Sequence, residues 1–86
     1  MKIKDGYILK NIAGSFVVIS LLGNSNENSV ISLNETGSFL WKLIENGADE
    51  KELLSKLCSE YDVDKTRAEN DIGVFINKMK ELDVLE

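Results

Sequence analysis

The sequence predicts an α+β fold in which a three-stranded antiparallel sheet is followed by three helices, in a winged helix-turn-helix-like arrangement. As far as Leu33, apolar and β-branched residues form the short runs that are typical of strands, and beyond Asn34 they recur at three- and four-residue spacing, as in helices. Strands that all precede the helices favour α+β over an alternating α/β fold. The strand that ends at Leu33 runs into the first helix with no loop between them, so we expect a fixed corner there.

Three strands are predicted in the first part of the chain. Tyr7 to Ile12 forms the first strand, Ala13-Gly14 a two-residue turn with Gly14 at positive φ, and Ser15 to Leu22 the return strand. The return strand is apolar on both faces, which predicts that it lies in the centre of the sheet. After a polar loop, Gly23 to Ser29, the third strand covers Val30 to Leu33, and no later stretch is predicted to pair with its far edge.

The first helix has clear start and stop signals. Asn34 is an N-cap residue, Glu35 suits the positive end of the helix dipole, and Asn46-Gly47 is a helix stop. The predicted core face consists of Thr36, Phe39, Leu40, Leu43 and Ile44. Trp41 falls off this stripe, so we expect it to be partly exposed and its truncation to cost less stability than that of Leu40.

Two further helices follow. The second begins at Asp49, with Glu52 at capping-box spacing, and the third is capped by Asp64 and reaches about Leu82. The residues predicted to face the core are Leu53, Leu54, Leu57, Cys58 and Tyr61 on the second helix, and Ala68, Ile72, Phe75, Ile76, Met79 and Leu82 on the third. Because Cys58 lies on the inward stripe, we expect a buried structural thiol. Val84 and Leu85 are expected to pack as a short tail.

Composition places the chain among small globular proteins. Its 86 residues, 43% hydrophobic and 29% charged, predict one domain that covers residues 1–86. No apolar run approaches the ~20 residues of a membrane span, and Met1 to Gly6 lead into a strand pattern instead of a signal peptide. The single cysteine excludes an internal disulfide. We therefore expect a cytoplasmic protein with no membrane contact.

Reactive groups are scarce in this sequence. The chain has no histidine, the commonest general base and metal ligand, and one cysteine, which is too few for a zinc site. Its six glycines are scattered singly, so they cannot form a glycine-rich phosphate-binding loop. We therefore expect a protein that is not an enzyme and that holds no metal and no cofactor.

One flank of the third helix combines charge with an apolar residue. Arg67, Asp71, Val74 and Lys78 follow one another at four-, three- and four-residue spacing, which places β-branched Val74 on a charged surface. This flank is either a solvated face with an Arg67–Asp71 pair or one wall of a groove that meets a ligand.

The third strand raises a related question. Its far edge exposes backbone N–H and C=O groups, and neither a proline nor an inward charge protects it. Either a second copy of the chain or an incoming peptide could pair there. Gly73, inside the third helix, costs about 1 kcal/mol against alanine and either allows close packing or makes room for a ligand.

Several local motifs are distinctive as a set. They are Ser32-Leu33-Asn34-Glu35-Thr36-Gly37 at the corner, Phe39-Leu40-Trp41-Lys42-Leu43 and Gly47 after it, then Glu52-Leu53, Leu57 and Tyr61-Asp62-Val63-Asp64. With these motifs, spread over nearly the whole chain, the sequence resembles the PqqD-like family. These small winged-helix modules are known as precursor-peptide recognition elements of ribosomally synthesised and post-translationally modified peptides (RiPPs).

The resemblance implies a non-catalytic role. Modules of this family bind the leader segment of a precursor peptide, which adds as a strand along the third strand in a cleft closed by the third helix, and present the remainder to a modifying enzyme. For this sequence the resemblance implies peptide contacts at Val30, Ile31, Ser32, Leu33, Asp71, Val74, Phe75 and Lys78. The polar loop Gly23 to Ser29 differs from members expected to serve pyrroloquinoline quinone synthesis. This favours another product, such as a lasso peptide or a product of radical-enzyme modification.

Two other functions compete with leader binding. A homodimeric structural module would use the same open edge, and the sequence does not separate it from a leader binder. A winged helix can also bind DNA, but a net charge of −5 and a third helix without a surplus of basic residues fit a recognition helix poorly.

We predict no binding of DNA or RNA at physiological salt. Ten basic residues against fifteen acidic ones leave too few cations to neutralise phosphates. Fluorescence anisotropy of labelled random duplex DNA measures this and should stay flat as protein is added. Sequence-independent binding that weakens with salt would contradict the prediction.

Overall fold

The sheet is built from a hairpin and one further strand. In the computed structural model, which describes residues 2–20 and 30–86, the strands are β1 (Tyr7–Ile12), β2 (Ser15–Ser20) and β3 (Val30–Leu33), paired antiparallel. β2 lies between β1 and β3, as its two apolar faces predicted. Residues 21–22, the predicted end of the second strand, and the predicted loop 23–29 lie outside the described residues.

Three helices follow the sheet: α1 (Glu35–Glu45), α2 (Glu50–Tyr61) and α3 (Lys65–Glu81). This order confirms the predicted fold class. Buried side chains from the sheet and from all three helices form one core cluster. Among residues 2–20 and 30–86, no helix has both the length and the apolar character needed to cross a membrane.

The hairpin turn sets the register of the sheet. Ala13 and Gly14 both have positive φ, 53° and 84°, the combination that a type I′ turn requires. Ile12 pairs with Ser15 directly beyond the turn, and Asn11 Oδ1 accepts a hydrogen bond from the Gly14 N–H at 3.1 Å. The strands therefore pair without a bulge at the turn.

The corner between β3 and α1 depends on a cap and a glycine. Asn34 has an extended backbone, and its Oδ1 accepts a hydrogen bond from the Gly37 N–H at 2.7 Å. A Cβ placed on Gly37 would lie 3.1 Å from Asn34 Oδ1 and 3.5 Å from the Leu33 Cβ. A larger residue at position 37 would therefore press against both the cap and the strand.

The prediction that Trp41 is partly exposed is wrong, because its side chain is completely buried. The buried residues of α1 are Gly37, Ser38, Leu40, Trp41 and Ile44, whereas Thr36, Phe39 and Leu43 are half-buried. The core face is thus rotated by about one residue from the predicted stripe. Hydrophobicity alone did not identify it, because two of its members are small: Gly37 lies against Leu33, and the Ser38 hydroxyl donates to the Glu35 carbonyl at 2.8 Å.

The caps of α2 and α3 are those that the sequence predicted. Asp49 accepts a hydrogen bond from the Glu52 N–H at 2.9 Å, and Asp64 accepts one from the Arg67 N–H at 2.8 Å. Asp62 ends α2 in the left-handed conformation, with φ of 51°. These caps satisfy N–H groups of the first turns and fix where both helices begin.

The predicted inward faces of α2 and α3 are largely confirmed. The buried residues are Leu53 and Leu57 on α2, and Ala68, Ile72, Phe75, Ile76 and Met79 on α3; Leu54, Cys58 and Tyr61 are half-buried. Cys58 packs against the core without being fully buried, so that expectation is corrected. Leu82 was also expected in the core but is 42% exposed, because α3 ends at Glu81 and Leu82 is its C-cap. Val84 is buried beyond it.

The first and last described segments lie side by side. Ile3 and Leu85 form an antiparallel bridge, and the Lys4 N–H donates to the Val84 carbonyl at 2.8 Å. An ion pair between Lys4 and Asp83, at 2.7 Å, is solvent-exposed and contributes at most about 1 kcal/mol. The predicted packing of the tail is thus confirmed, and backbone pairing as well as apolar contact holds it.

Trp41→Ala should be at least as destabilising as Leu40→Ala, because it removes the larger of two fully buried side chains. We expect losses of about 3–5 kcal/mol for Trp41→Ala and about 2–5 kcal/mol for Leu40→Ala. Trp41→Phe should cost less, since it keeps an aromatic ring. Denaturant unfolding followed by circular dichroism measures each loss.

Val74→Ala is the control for these variants, because Val74 is 62% exposed and its truncation should change stability by no more than about 0.5 kcal/mol. A smaller loss for Trp41→Ala than for Leu40→Ala would show that the core face is the one that hydrophobicity alone predicts.

Candidate functional site

A cavity of about 430 Å³ lies between the β3–α1 corner and α3. Its lining residues are Ser32, Leu33, Asn34, Thr36, Gly37, Leu40, Arg67, Asp71, Val74, Phe75 and Lys78. Ser32 and Leu33 belong to β3, which is the last strand of the described sheet. The cavity therefore borders the open edge of that sheet; we call it the edge cavity.

The structure brings most of the predicted contact residues to the edge cavity. Those that line it are Ser32, Leu33, Asp71, Val74, Phe75 and Lys78. The Ile31 side chain does not line it, because this side chain is buried in the core. The side chain of Val30 lies outside the described part of the structure.

The charged flank of α3 forms one wall of the edge cavity. Arg67, Asp71, Val74 and Lys78 all line it, so the groove-wall interpretation describes their placement. The Arg67–Asp71 pair, suggested by the spacing, is not among the ion pairs formed within the described residues. Two cations and one carboxylate thus face the same volume.

The sequence-based prediction missed the contribution of α1. Asn34, Thr36, Gly37 and Leu40 line the edge cavity, as does Arg67 of α3. For Arg67, the helical spacing from Asp71 already indicated the shared flank. Asn34, Thr36 and Gly37 belong to the corner motif, but the motif does not show that they face α3, because the separation of α1 from α3 is set by tertiary packing.

Apolar side chains lie deepest in the edge cavity. Leu40 and Phe75 are 1% and 8% exposed, and Leu33 is half-buried. Val74, by contrast, is 62% exposed. It therefore offers apolar surface to any molecule that enters the cavity.

The hairpin determines which backbone groups of β2 point towards β3. In a hairpin with a two-residue turn, the flanking pair, here Ile12 and Ser15, exchanges hydrogen bonds. N–H groups alternate between the two sides of a strand, so Ser15 and every second residue after it point towards β1. Phe16 and Val18 therefore point towards β3.

The same alternation fixes the open edge of β3. Leu33 and Ile31 pair with the two β2 residues that point towards β3, so their N–H and C=O groups face inward. Those of Val30 and Ser32 face away from the sheet. Ser32, whose side chain is exposed, thus has its N–H at the open edge.

A second cavity, of about 420 Å³, lies on the opposite face of α3, between α2 and α3. Gly73 lines it, and a Cβ built on Gly73 would meet nothing within 4 Å. The hypothesis that Gly73 allows close helix packing is therefore wrong. The glycine leaves this side of α3 open.

Within the described residues, no group of three His, Cys, Asp or Glu side chains is placed to hold a metal ion. Away from the edge cavity, burial raises the pKa of the Tyr61 hydroxyl, and the charges of Glu35 and Glu60 raise this pKa further. The Tyr61 ring packs edge-to-face on Phe39, with ring centroids 5.3 Å apart. Tyr61 is therefore neutral at physiological pH.

A comparison with known protein families matches nearly the whole chain. Residues 8–85 match the model of the family described as coenzyme PQQ synthesis protein D (PqqD). The chain belongs to the PqqD family. This confirms the family that the corner motif and the Tyr61-Asp62-Val63-Asp64 motif indicated.

Two solved structures show the same fold over nearly their whole length. The structure of TbiB1 in complex with the TbiA(beta) leader peptide is 29% identical to this PqqD-family chain, with a TM-score of 0.82, covering 100% of this chain and 95% of that one. The structure of lasso peptide synthetase B1 complexed with the leader peptide is 24% identical, with a TM-score of 0.80 and coverage of 99% and 95%. No protein with a curated function matches significantly.

Proline scanning of β3 tests the direction of its backbone groups. Ser32→Pro should leave the protein folded, because the lost N–H faced outward, whereas Ile31→Pro removes an N–H that pairs with β2. Ile31→Ala is the control, since it removes the buried side chain but keeps the N–H. We expect thermal stability to fall in the order Ser32→Pro, Ile31→Ala, Ile31→Pro. Equal stabilities of the two proline variants would contradict the assigned alternation.

Proposed function

We propose that this protein binds the leader segment of a ribosomally synthesised precursor peptide and presents that peptide to a modifying enzyme. One observation carries the proposal: the chain is similar over its full length to a protein solved with a leader peptide. In this chain, the outer edge of β3, the last strand of the described sheet, borders a partly apolar cavity where a peptide could bind. Membership of the PqqD family supports the same function.

In the proposed complex, the leader adds as a further strand along β3. Val30 and Ser32 offer their outward N–H and C=O groups to it. Backbone pairing of this kind supplies affinity that depends little on the leader sequence. Ile31 contributes indirectly, because its buried side chain anchors β3 to the core.

Leader side chains that point towards α3 enter the edge cavity. Apolar ones contact Leu33, Phe75 and the exposed Val74, while Asp71 and Lys78 meet polar ones. Because a strand's side chains alternate between its two faces, only every second leader residue is recognised in this way. A few specific contacts thus accompany general backbone pairing.

The proposed role involves no reaction on this protein. Its task is to raise the effective concentration of the precursor near the modifying enzyme, for which moderate affinity is sufficient. A sequence without histidine agrees with such a role. Because the precursor is made on ribosomes, we place the encounter in the cytoplasm.

The class of the final product stays a prediction. The loop Gly23 to Ser29, whose polar sequence disfavours pyrroloquinoline quinone as the product, lies outside the described residues. A lasso peptide or a product of radical-enzyme modification remains the expectation from the sequence.

A homodimer is the competing arrangement, because an isologous contact would use the same edge of β3. The dimer and the leader complex exclude each other, since both need the outward groups of Ser32. Sedimentation velocity with and without leader separates the two: a leader binder should sediment as one copy of the chain with its peptide.

Val74→Asp should weaken leader binding without unfolding the protein. It places a charge at the edge cavity, where an apolar leader side chain packs. The fold should tolerate the change, because the Val74 side chain is 62% exposed. Isothermal titration with a synthetic leader peptide should show about tenfold weaker binding, equivalent to about 1.4 kcal/mol.

Ile12→Asp is the matched control for this variant. Ile12 is likewise β-branched and 53% exposed, but it lies on β1, away from the edge cavity. We expect Ile12→Asp to bind the leader normally, with circular dichroism confirming that both variants fold. Unchanged affinity of Val74→Asp would contradict the proposed docking site.

A further inference from the structure

The α3 wall of the edge cavity is positively charged in a protein that is negatively charged overall. Arg67 and Lys78 line this cavity with one carboxylate, that of Asp71, in a chain whose net charge is −5. Neither cation takes part in the ion pairs formed within the described residues. The charges that line the cavity thus sum to a positive value, opposite in sign to the net charge of the chain.

The two cations are not equivalent. Asp71 lies one helical turn from Arg67 on the same flank, so the two opposite charges offset each other for any group that approaches both. One turn from Lys78, Val74 and Phe75 line the cavity, whereas the carboxylate of Glu81 does not, so no lining carboxylate lies one turn from Lys78. Lys78 is thus the stronger local attractor for an anion.

Residues four apart on α3 are spaced much like residues two apart on an added strand. Val74 and Lys78 are four residues apart, so along the helix axis they are separated by about 6 Å. Residues that point to the same face of a strand repeat at about 6.6–6.8 Å. A leader strand that runs along the α3 wall and places one side chain on Val74 therefore brings its next inward-facing side chain near Lys78.

We propose that the leader recognised by this protein carries a carboxylate two residues from the apolar side chain that packs on Val74, and that Lys78 selects it. This inference rests on the proposed function and specifies the chemistry of the leader. An aspartate or glutamate at that position makes a charge-assisted contact with the Lys78 ammonium. A lysine or arginine there meets like charge, so Lys78 both favours the matching leader and rejects basic ones.

Selection from a displayed library of short random peptides tests the proposal without knowledge of the natural precursor. Peptides are selected against the unmodified protein and against Lys78→Glu. Lys65→Glu is the matched control, because it reverses the same charge on the same helix but does not line the edge cavity. Peptides that bind in the cavity are identified as those lost when Val74→Asp replaces the unmodified protein.

For the unmodified protein and for Lys65→Glu, cavity-binding peptides should carry an acidic residue two positions from an apolar one. Replacing that acid by lysine in a synthetic copy should weaken binding about fivefold, as expected for a partly exposed ion pair. Lys78→Glu should reverse the preference and bind the lysine copy more tightly than the acidic one. A preference that also weakens as salt is raised supports an ionic contact.

Two failures are distinguishable. Cavity-binding peptides without a charge preference at that position, or with a preference that Lys78→Glu leaves unchanged, overturn this inference and leave the proposed function standing. If every selected peptide is insensitive to both Val74→Asp and Ser32→Pro, the edge cavity is not a peptide site, and the proposed function falls together with this inference.

Discussion

The hydrogen bond from the Gly37 N–H to Asn34 Oδ1 closes the corner on which the rest of the structure depends. It begins α1 directly after β3, and the missing side chain at Gly37 lets the strand and the cap approach the helix closely. Through this corner the sheet is joined to the helical part with no flexible segment between them. The relative position of β3 and α1, two of the three elements around the edge cavity, follows from it.

The third element, α3, has three distinct faces. One face, with Ala68, Ile72 and Met79 among its residues, is buried in the core and holds the helix in place. A second face lines the edge cavity, and a third, which includes Gly73, borders the cavity beside α2. Because the buried face supplies most of the stability, residues such as Val74 can change with little cost to the fold.

A free strand edge is a hazard in most proteins, because it can pair with any other strand. Within the described residues, β3 has such an edge. In the proposed function this hazard becomes the binding mode. The outward groups of Val30 and Ser32 provide affinity that is independent of sequence, and the α3 wall adds discrimination. Such a division suits a module that must hold a peptide while another protein modifies it.

Much of this protein was determined by local sequence. The strands, the capped starts of all three helices and the positive φ of Gly14 depend on neighbours a few residues apart, and the sequence predicted each of them. The same is true of the flank from Arg67 to Lys78, since helical spacing alone places its members together.

Tertiary structure decided what depends on packing between distant segments. Trp41 is buried because the face of α1 that includes small Gly37 and Ser38 turns towards the core, and small residues give no hydrophobic signal. Leu82 is exposed, although a core position was predicted, because α3 ends at Glu81. The contribution of α1 to the edge cavity likewise depends on packing between distant segments. Sequence spacing gives positions along one element, whereas a cavity between elements depends on the distance and rotation at which those elements pack.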